Sequence, residues 1–528
     1  MNYIILVFLT FIQTILMNYF MDLPVFDFSP YTIRLWSNYF TASLLIWVPL
    51  LFTKKRRWTY IVSILLSVWF VGNLIYFRSY GDVLNRWCLQ NAGNMKGIWS
   101  SILPFLSWKD FVFPFITIIW IALSERIEQT YIFSLWKRLI IAFTSFIILC
   151  IPQIITFKKI DMPISPFDSY YADPSTGRVW YVNTYGAITH LANETYNLLL
   201  DREGEVEEVK KSEINSYIQT PDAQGEKGNL LLIIIESLED WTIGLEIEGK
   251  AVTPNINRLA LHHQTGHYSM LSQIKEGKSS DALLLIFNGL LPIQNGAAAM
   301  RYATNEYPSF VRYTKVETTQ MFSASPPNVW NQNINSTSYG FDTLIAQKVS
   351  DISLSKKVIN AIESTTSSFI FTAVTMASHS PFMDYADSST LSIPETYYDE
   401  IKRRYLQCVH YTDSAIGPII DKVMNDPVLS QNTRIIITGD HPIFALDIPI
   451  PFIIYDPFMM PVHTNRNLYQ MDIYTTIIDR MHISTPWRGL GKNIADSCEY
   501  TPEQIKELEK LSDRMIRTNY FGKAELDR

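Results

Sequence analysis

Five apolar segments follow one another within the first 156 residues of this 528-residue chain. They limit the possible folds more than any other feature, because a run of about 20 apolar residues can cross a bilayer as a helix. The segments cover residues 3–20, 37–53, 58–77, 109–124 and 137–156. We therefore predict an N-terminal transmembrane domain of about five helices over residues 1–156. The alternative, buried helices of a soluble protein, fits such a succession of apolar runs poorly.

Basic residues in the loops between these segments predict the orientation. Four consecutive basic residues occupy positions 54–57, and Arg126, Lys137 and Arg138 lie between the fourth and fifth segments. Loops rich in lysine and arginine remain in the cytoplasm, so an odd number of crossings places everything after residue 156 outside. The first segment has no cleavage pattern after it, which indicates a retained anchor.

Charge and cysteine content exclude some classes of protein. The formal net charge of -7 argues against a nucleic-acid partner, which would require a basic surface. Four cysteines are too few for a disulfide framework. Cys408 and Cys498 remain a possible pair in the exported part, and the sequence leaves open whether they meet.

Beyond the membrane domain the pattern changes to strands alternating with helices. Residues 157–228 read as a connector with one amphipathic helix over 185–200, and residues 229–528 as one exported domain. Buried strands are predicted at 230–235, 318–322, 369–374 and 434–438, with a long helix over 395–424. This alternation predicts an α/β domain with a mostly parallel sheet sandwiched by helices. In such sheets, ligands bind beyond the carboxyl ends of the strands.

Polar residues follow two of the predicted strands directly. Glu236 comes after the first strand and Asp440-His441 after the last, so the side chains should meet at one edge of the sheet. Ser279 opens a predicted helix, where the first-turn N–H groups favour an alkoxide or a phosphoryl group. Together these residues predict a shell for one divalent cation, suited to manganese or zinc more than to calcium. Taken singly, each has an ordinary structural role, such as a helix cap or a solvated strand end.

Four short motifs, in this order, resemble the lipoteichoic acid synthase branch of the alkaline phosphatase and sulfatase superfamily. They are Ile-Glu-Ser at 235–237, Val-Thr-Pro-Asn at 252–255, Gly-Lys-Ser-Ser-Asp at 277–281 and Gly-Asp-His at 439–441. The resemblance implies one divalent metal ion, commonly manganese with zinc or magnesium as alternatives, held by the residues Glu236, Ser279, Asp440 and His441. It also implies that Ser279 is the catalytic nucleophile, at a position where the family usually has threonine. The implied location is the bacterial cytoplasmic membrane, with several crossings and an extracytoplasmic catalytic domain.

Further matches fall where the family contacts the phosphate head group. They are His379 in Met-Ala-Ser-His-Ser-Pro-Phe at 376–382 and Trp330 in Val-Trp-Asn at 329–331. The family often has arginine two places after this tryptophan, and Gln332 stands there instead, which removes a bidentate phosphate clamp. Ser280 matches the neighbouring serine of the family and is the second choice for the nucleophile. Without the family pattern, His379 reads as an ordinary loop histidine.

Two other patterns are set aside. His262, His263 and His267 form a compact group, but a surface or strand-end role is expected for them rather than a second metal site. The Cys/Ser-x-Pro-x-Arg motif of formylglycine sulfatases is missing, because neither the residues after Ser279 nor Ser325-Pro326-Pro327-Asn328 supply its arginine.

The resulting hypothesis is a membrane-anchored, metal-dependent phosphotransferase that acts through a covalent phosphoserine. By resemblance it moves phosphoglycerol from a phospholipid head group to an exported glycan or glycolipid acceptor. A phosphoethanolamine transferase or a phosphodiester or sulfate-ester hydrolase of the same superfamily is the enzymatic alternative. A catalytically silent lipid- or glycan-binding membrane protein is the alternative from another class.

Overall fold

The chain forms two compact units. The computed structural model describes residues 2–26, 30–49, 55–80, 83–86, 88, 105–126, single positions between 134 and 147, 177–200, 206–219, 227–380, 382 and 384–523. One unit lies within Met1–Leu89 and Gly97–Gly204, and the other extends from Glu205 to Arg528.

The N-terminal unit is built of helices. They are α1 (Asn2–Phe20), α2 (Pro30–Trp47), α3 (Arg57–Tyr80), α4 (Val112–Ser124), α5 (Gly177–Tyr185) and α6 (Ala187–Leu200), with a 3-10 turn (Trp108–Phe111) leading into α4. Buried apolar side chains from several of them, including Trp47, Phe70, Phe113 and Val182, form one core. The amphipathic helix predicted for the connector corresponds to α6 and belongs to this unit.

Two helices of this unit are long and apolar enough to cross a membrane, over Tyr3–Phe20 and Arg57–Arg78. They coincide with the first and third predicted segments. At the second segment, α2 begins earlier than predicted, at Pro30, and at the fourth, α4 has only 13 residues. Most of the fifth segment, 137–156, lies outside the described residues. The number of five crossings therefore stays a prediction.

A sheet of eight strands organises the C-terminal unit. In chain order the strands are β1 (Asn229–Ile235), the ribbon strands β2 (Glu246–Ile247) and β3 (Lys250–Ala251), β4 (Thr265–Leu271), β5 (Thr318–Ser323), β6 (Thr343–Ala346), β7 (Phe369–Val374), β8 (Thr433–Gly439), β9 (Ile450–Tyr455) and β10 (Leu468–Tyr469). The order across the sheet is β10-β4-β9-β8-β1-β7-β5-β6. Within it, β9 runs antiparallel to β4 and β8, and the other neighbours run parallel. The mostly parallel sheet is thus confirmed.

Helices cover both faces of this sheet. They are α7 (Pro254–Ala260), α8 (Ser279–Asn288), α9 (Gln332–Tyr339), α10 (Asp351–Ser364), α11 (Glu400–Met424), α12 (Asp472–Met481) and α13 (Pro502–Arg517). Shorter helical turns occur at Lys211–Ile214, Asn215–Tyr217, Asp240–Thr242, Ala298–Arg301, Phe310–Tyr313, Val329–Asn331, Ala386–Ser388, Leu429–Asn432 and Tyr520–Lys523.

Strand β1 shows why its sequence is uniformly aliphatic. Its alternate side chains enter two cores, Leu230 and Ile234 on the face with Phe287 of α8, and Leu231 on the face with Leu406 of α11. Since successive side chains of a strand point to opposite faces, a strand covered on both sides must be apolar at every position.

The predicted strands agree with the observed ones to within one residue at each end. The long helix begins at Glu400 rather than at 395, because the side chain of Asp399 accepts the Lys402 N–H at 2.8 Å and so caps the helix. Cys408 and Cys498, left open as a pair, are both free thiols.

Candidate active site

The register of the central strands brings Glu236 and Asp440 together. Strands β1 and β8 are parallel neighbours, and Ile235 pairs with Gly439, so the next residue of each strand leaves the sheet at the same level. A Cβ atom at Gly439 would lie 2.2 Å from the Leu238 carbonyl oxygen, which means that only glycine allows the two loops to approach this closely. The polar residues beyond both strands therefore converge.

Glu236, Asp440 and His441 form a buried cluster. One potential ligand atom from each lies within 4.8 Å of the others. The His441 Nε2 atom is 3.8 Å from Glu236 Oε1 and 3.5 Å from Asp440 Oδ2. His441 Nδ1 contacts the Pro442 carbonyl oxygen at 3.0 Å. A carbonyl only accepts, so Nδ1 carries the proton and Nε2 presents its lone pair to the cluster.

Ser279 reaches the same cluster from the start of α8. Its Oγ lies 3.4 Å from Glu236 Oε2 and 3.3 Å from His441 Nε2. The residue before it, Lys278, has φ 47° and ψ -121°, a conformation rarely adopted by residues with a side chain. This sharp turn lets the serine open the helix while its hydroxyl faces the strand ends.

Asp281 holds the loop that precedes Ser279. Its Oδ2 accepts the backbone N–H groups of Lys275 at 2.8 Å and Gly277 at 2.9 Å. Burial raises the pKa of Asp281 to about 7, and these two hydrogen bonds lower it in part. Ser280 is buried, and its hydroxyl donates to the Gly277 carbonyl at 2.7 Å. Its side chain is thus occupied within the loop, whereas that of Ser279 faces the cluster.

The cluster fits a divalent cation by its electrostatics. Burial, followed by the charge of Asp440, raises the pKa of Glu236 to about 8. Asp440 Oδ1 accepts the N–H groups of Ser237 and His441, both at 2.7 Å, whereas its Oδ2 is buried without a hydrogen-bond partner. The cluster thus offers two neighbouring carboxylates, one of them with an oxygen that has no hydrogen-bond partner, and an imidazole lone pair. These are the donor atoms of an oxygen- and nitrogen-ligated metal ion.

His379 lies on the loop that follows β7, the other neighbour of β1. This loop is joined to Glu236, because Ser378 Oγ donates to the Glu236 carbonyl at 2.5 Å and Thr375 Oγ1 accepts the Glu236 N–H at 3.2 Å. Burial lowers the pKa of His379, and the charge of Asp440 acts in the opposite direction. Its Nδ1 contacts the Ser380 carbonyl at 2.5 Å, which leaves Nε2 as the unprotonated nitrogen.

Trp330 and Gln332 lie in the turn and helix that follow β5, at the same edge of the sheet. Trp330 has a left-handed backbone, with φ 50°. Gln332 is buried and donates through Nε2 to Ser325 Oγ at 2.6 Å. Among the described residues, no hydrogen bond joins either side chain to Glu236, Asp440 or His441. Their role in binding substrate stays a prediction.

The histidine group set aside in the sequence has other contacts. His267 Nε2 lies 2.7 Å from Asp240 Oδ1, and the rings of His262 and His263 are tilted by 37° with centroids 4.4 Å apart. In the part of the chain that the structure describes, the metal-type cluster is that of Glu236, Asp440 and His441.

Sequence reasoning missed two carboxylates that organise the site. Glu239, fully buried, accepts the N–H groups of Ile443 at 2.8 Å and Phe444 at 2.9 Å and so joins the loops after β1 and β8. Asp351 accepts the N–H groups of Met376 at 2.9 Å and Ala377 at 3.2 Å and so holds the loop of His379. Nothing local marks these roles, since the partners of Glu239 lie 204 and 205 residues further along the chain.

Comparison with known proteins covers both units. The sequence model of the Sulfatase family matches residues 228–483, and that of the lipoteichoic acid synthase N-terminal domain matches residues 1–172. Lipoteichoic acid synthase 2 of Bacillus subtilis (strain 168) is 25% identical over 417 residues, which cover 74% of this chain and 64% of that relative. The chain therefore spans less than two thirds of that relative's length.

Solved structures show the same fold. The lipoteichoic acid synthase LtaP from Listeria monocytogenes superposes with a TM-score of 0.51 and 17% identity over 61% of this chain and 100% of that chain. The integral membrane protein lipooligosaccharide phosphoethanolamine transferase A from Neisseria meningitidis superposes with a TM-score of 0.58 and 11% identity, over 92% and 96% of the two chains. At these identities the similarity concerns the fold alone.

Proposed function

We propose that this chain, which matches the Sulfatase family model over residues 228–483 and the lipoteichoic acid synthase N-terminal domain model over residues 1–172, belongs to the lipoteichoic acid synthase-like branch of the alkaline phosphatase and sulfatase superfamily and is a metal-dependent phosphotransferase. It moves phosphoglycerol from a phospholipid head group to an exported glycan or lipid acceptor. One observation carries the proposal: the Ser279 hydroxyl, at the opening of α8, lies within 3.4 Å of Glu236 and 3.3 Å of His441 in a buried cluster that suits a cation.

Glu236, Ser279, Asp440 and His441 are the residues that would hold the ion. When bound, a divalent cation, manganese by resemblance with zinc or magnesium as alternatives, lowers the pKa of a serine hydroxyl and offsets charge on the phosphoryl oxygens. The burial of the cluster strengthens these interactions, because water does not screen them.

The reaction then has two displacements. Ser279 Oγ bonds to phosphorus as the bond to the diacylglycerol oxygen breaks, which leaves phosphoglycerol on the serine and releases diacylglycerol. An acceptor hydroxyl next bonds to the same phosphorus, and the serine departs. One proton passes from the serine to the diacylglycerol oxygen in the first step, and one from the acceptor to the serine in the second.

We assign the transfer of these protons to His379. Burial lowers the pKa of its imidazole, so the ring is neutral near pH 7, and the contact of Nδ1 with Ser380 leaves Nε2 free to accept a proton. A neutral histidine with a free nitrogen acts as a base first and as an acid afterwards, which both displacements require.

Phosphoethanolamine is the second candidate head group. Gln332 replaces the arginine of the family, and its amide nitrogen is already bonded to Ser325. A single amide cannot form the bidentate clamp that guanidinium makes on phosphate. The loss of this clamp is the observation that favours phosphoethanolamine as the second candidate.

The membrane location belongs to the same proposal. Two candidate membrane-spanning helices and the match to a lipoteichoic acid synthase N-terminal domain support a multi-pass protein of the bacterial cytoplasmic membrane, with the catalytic unit outside. A lipid donor remains in the bilayer, so an anchored enzyme has a high effective concentration of substrate.

The test uses the full chain in liposomes with manganese and fluorescent phosphatidylglycerol or phosphatidylethanolamine. Release of fluorescent diacylglycerol from phosphatidylglycerol supports phosphoglycerol transfer. Release from phosphatidylethanolamine alone supports phosphoethanolamine transfer instead. Ser279→Ala should abolish release, whereas Ser279→Thr should retain it because threonine keeps the hydroxyl. No release from either lipid by the metal-loaded wild type would contradict the enzymatic proposal.

Ser280→Ala is the matched control for the nucleophile. Its hydroxyl is committed to Gly277, so this variant should keep turnover. If the Ser279→Ala protein still forms a covalent phosphorylated intermediate, the nucleophile would instead be Ser280.

A further inference from the structure

A lysine ammonium lies among three aromatic rings beside the loop that follows β8. Lys402 Nζ is 5.0 Å from the ring centre of Trp241, 5.5 Å from Tyr398 and 5.4 Å from Phe444. All three distances are within the ~6 Å at which a cation is attracted to a ring face. Within the described ranges no ion pair includes Lys402, although its helix neighbours Arg403 and Arg404 pair with carboxylates. We call Lys402 and these three rings the Lys402 cage.

Two of the rings stand on the loops that carry the metal-type cluster. Trp241 belongs to the turn after Glu236, and Phe444 follows His441 by three positions. Lys402 itself lies in the first turns of α11, whose start is fixed by the Asp399 cap. The Lys402 cage therefore joins the loops after β1 and β8 to α11, a helix that contributes no residue to the metal-type cluster.

The buried carboxylate of Glu239 also contacts Trp241 and the loop of Phe444. Its Oε2 accepts the Trp241 indole N–H at 2.6 Å, while its Oε1 accepts the Ile443 and Phe444 N–H groups. Between them Tyr405 packs edge-on against Phe444, with ring centres 5.1 Å apart, and its hydroxyl donates to the Ser237 carbonyl at 2.9 Å. Trp241 and Phe444 are thus held by hydrogen bonds on one side and by a cation on the other.

We propose that Lys402 is a positioning residue whose ammonium, held in the Lys402 cage, fixes the loop that presents Asp440 and His441. The role requires charge as well as bulk. A methylene chain of equal length would fill the space, but only a cation is attracted to three ring faces at once and so selects one arrangement of Trp241 and Phe444. The consequence for metal binding rests on the function proposed above, whereas the effect on loop order does not.

The first experiment measures amide hydrogen exchange in the full chain without added metal. Lys402→Met keeps an unbranched side chain that is one atom shorter and removes its charge. We expect exchange at Ile443 and Phe444, whose N–H groups bond to Glu239, to accelerate on the order of tenfold. A partly buried cation–ring contact disfavours opening of a loop by about that factor. Exchange within β8 at 435–438 should stay unchanged. Lys402→Arg should restore protection, because guanidinium also binds ring faces.

Lys422→Met is the matched control. It makes the same chemical change on the same helix, at an exposed ion pair with Glu363 in the last turn, and should leave exchange at 440–447 as in the wild type. Unchanged exchange at Ile443 and Phe444 in Lys402→Met would overturn the proposal. Equal acceleration in Lys402→Met and Lys402→Arg would also overturn it, because the charge would then be irrelevant.

The second measurement is the dissociation constant of Mn²⁺, titrated on the same variants. A looser loop presents Asp440 and His441 less often in the binding arrangement, so Lys402→Met should weaken Mn²⁺ binding by about the same factor as it accelerates exchange. Absence of Mn²⁺ binding by the wild type would contradict the proposed function, while the exchange results would still decide the role of Lys402. Intact Mn²⁺ affinity in a Lys402→Met protein with accelerated exchange would contradict the link to the metal residues.

Discussion

At the scale of single residues, the loop ahead of Ser279 leaves no room for a side chain at Gly277. A Cβ atom there would lie 2.1 Å from Asp281 Oδ1, and Asp281 is the residue that holds the loop through backbone N–H groups. Gly277→Ala should displace Asp281 and misplace Ser279, and we expect turnover to fall on the order of 100-fold, as small displacements of reacting groups cause. The measurement is release of fluorescent diacylglycerol.

Gly522→Ala serves as the control for this change. A Cβ at Gly522 would meet the side chain of Asn519, which accepts the Glu306 N–H, and the site is in the short C-terminal helix rather than in the loop ahead of Ser279. Turnover should match the wild type. Full activity of Gly277→Ala would show that the Asp281 loop tolerates displacement and does not set the position of Ser279.

Glu236 makes metal binding dependent on pH. Burial raises the pKa of this carboxyl to about 8, so below pH 8 a metal ion must displace a proton from it. The sign follows: Mn²⁺ affinity should increase as the pH rises through 8 and then level off. The contribution of this group between pH 7 and 9 is about tenfold in the dissociation constant, measurable by titration calorimetry. Affinity that is flat, or that decreases over this interval, would exclude Glu236 as a buried ligand.

The site residues at strand ends could be predicted from the sequence, whereas the residues that hold their loops in place could not. Glu236 and Asp440 follow uniformly aliphatic strands, and parallel neighbours end at one edge, so their proximity follows from pattern and topology together. Glu239 carries no such mark, because its partners are backbone groups of a loop more than 200 residues away. Hydrogen bonds to remote backbone depend on tertiary packing, which no local pattern encodes.

At the scale of elements, helix α7 is capped by a carboxylate from another helix. Asp413 of α11 accepts the N–H groups of Asn255 at 3.1 Å and Ile256 at 2.9 Å, at the start of α7. Asp413→Ala leaves these buried donors without a partner, so we expect a loss of about 1–3 kcal/mol in the free energy of unfolding. Denaturant unfolding of the full chain, followed in the C-terminal unit, measures it.

Asp421 offers the exposed counterpart on the same pair of helices. It forms an ion pair of 2.5 Å with Arg258 of α7, and both side chains are largely exposed. Exposed ion pairs contribute about 0–1 kcal/mol, so Asp421→Ala should change stability much less than Asp413→Ala. Equal losses from the two variants would show that the cap of α7 is not a significant interaction.

Strand positions were easier to predict than strand directions. The apolar runs of β1, β5, β7 and β8 were predicted to within one residue, but β9 and its antiparallel pairing were not. β9 spans Ile450–Tyr455 and contains Pro451, which pairs with Ser269 of β4. A short apolar run with proline reads as an edge or a non-strand, and only its pairing with two neighbours, the preceding strand β8 and the remote strand β4, determines its direction.

At the scale of the whole molecule, composition predicted two parts but could not count membrane crossings. The helices at the first and third segments have sufficient length and hydropathy to span, whereas α4 is short at 13 residues. A spanning helix and a helix buried in protein have the same apolar composition, so a sequence near the threshold length does not distinguish them.

Metal removal tests how far the cluster affects the stability of the C-terminal unit. Without a cation, burial and, next, the charge of Asp440 raise the pKa of Glu236 to about 8, so this carboxyl is ionised beside Asp440 only at higher pH. A ligand that binds only the folded state at about 100 times its Kd adds about 2.7 kcal/mol, so manganese should raise the Tm by several degrees and a chelator should reverse it. Thermal unfolding of the full chain in detergent, with and without the metal, is the measurement.

Asp440→Asn separates this electrostatic account from general loop stability. Asparagine keeps the oxygen that accepts the Ser237 and His441 N–H groups but removes the charge. At about pH 9, where Glu236 is ionised beside Asp440, removal of the second charge should leave the metal-free Tm unchanged or higher, whereas the gain from manganese should disappear. Ser279→Ala should keep most of that gain, because three ligands remain. A metal-free Tm that falls sharply in Asp440→Asn would show that Asp440 mainly stabilises the loop, and would contradict the electrostatic account of the cluster.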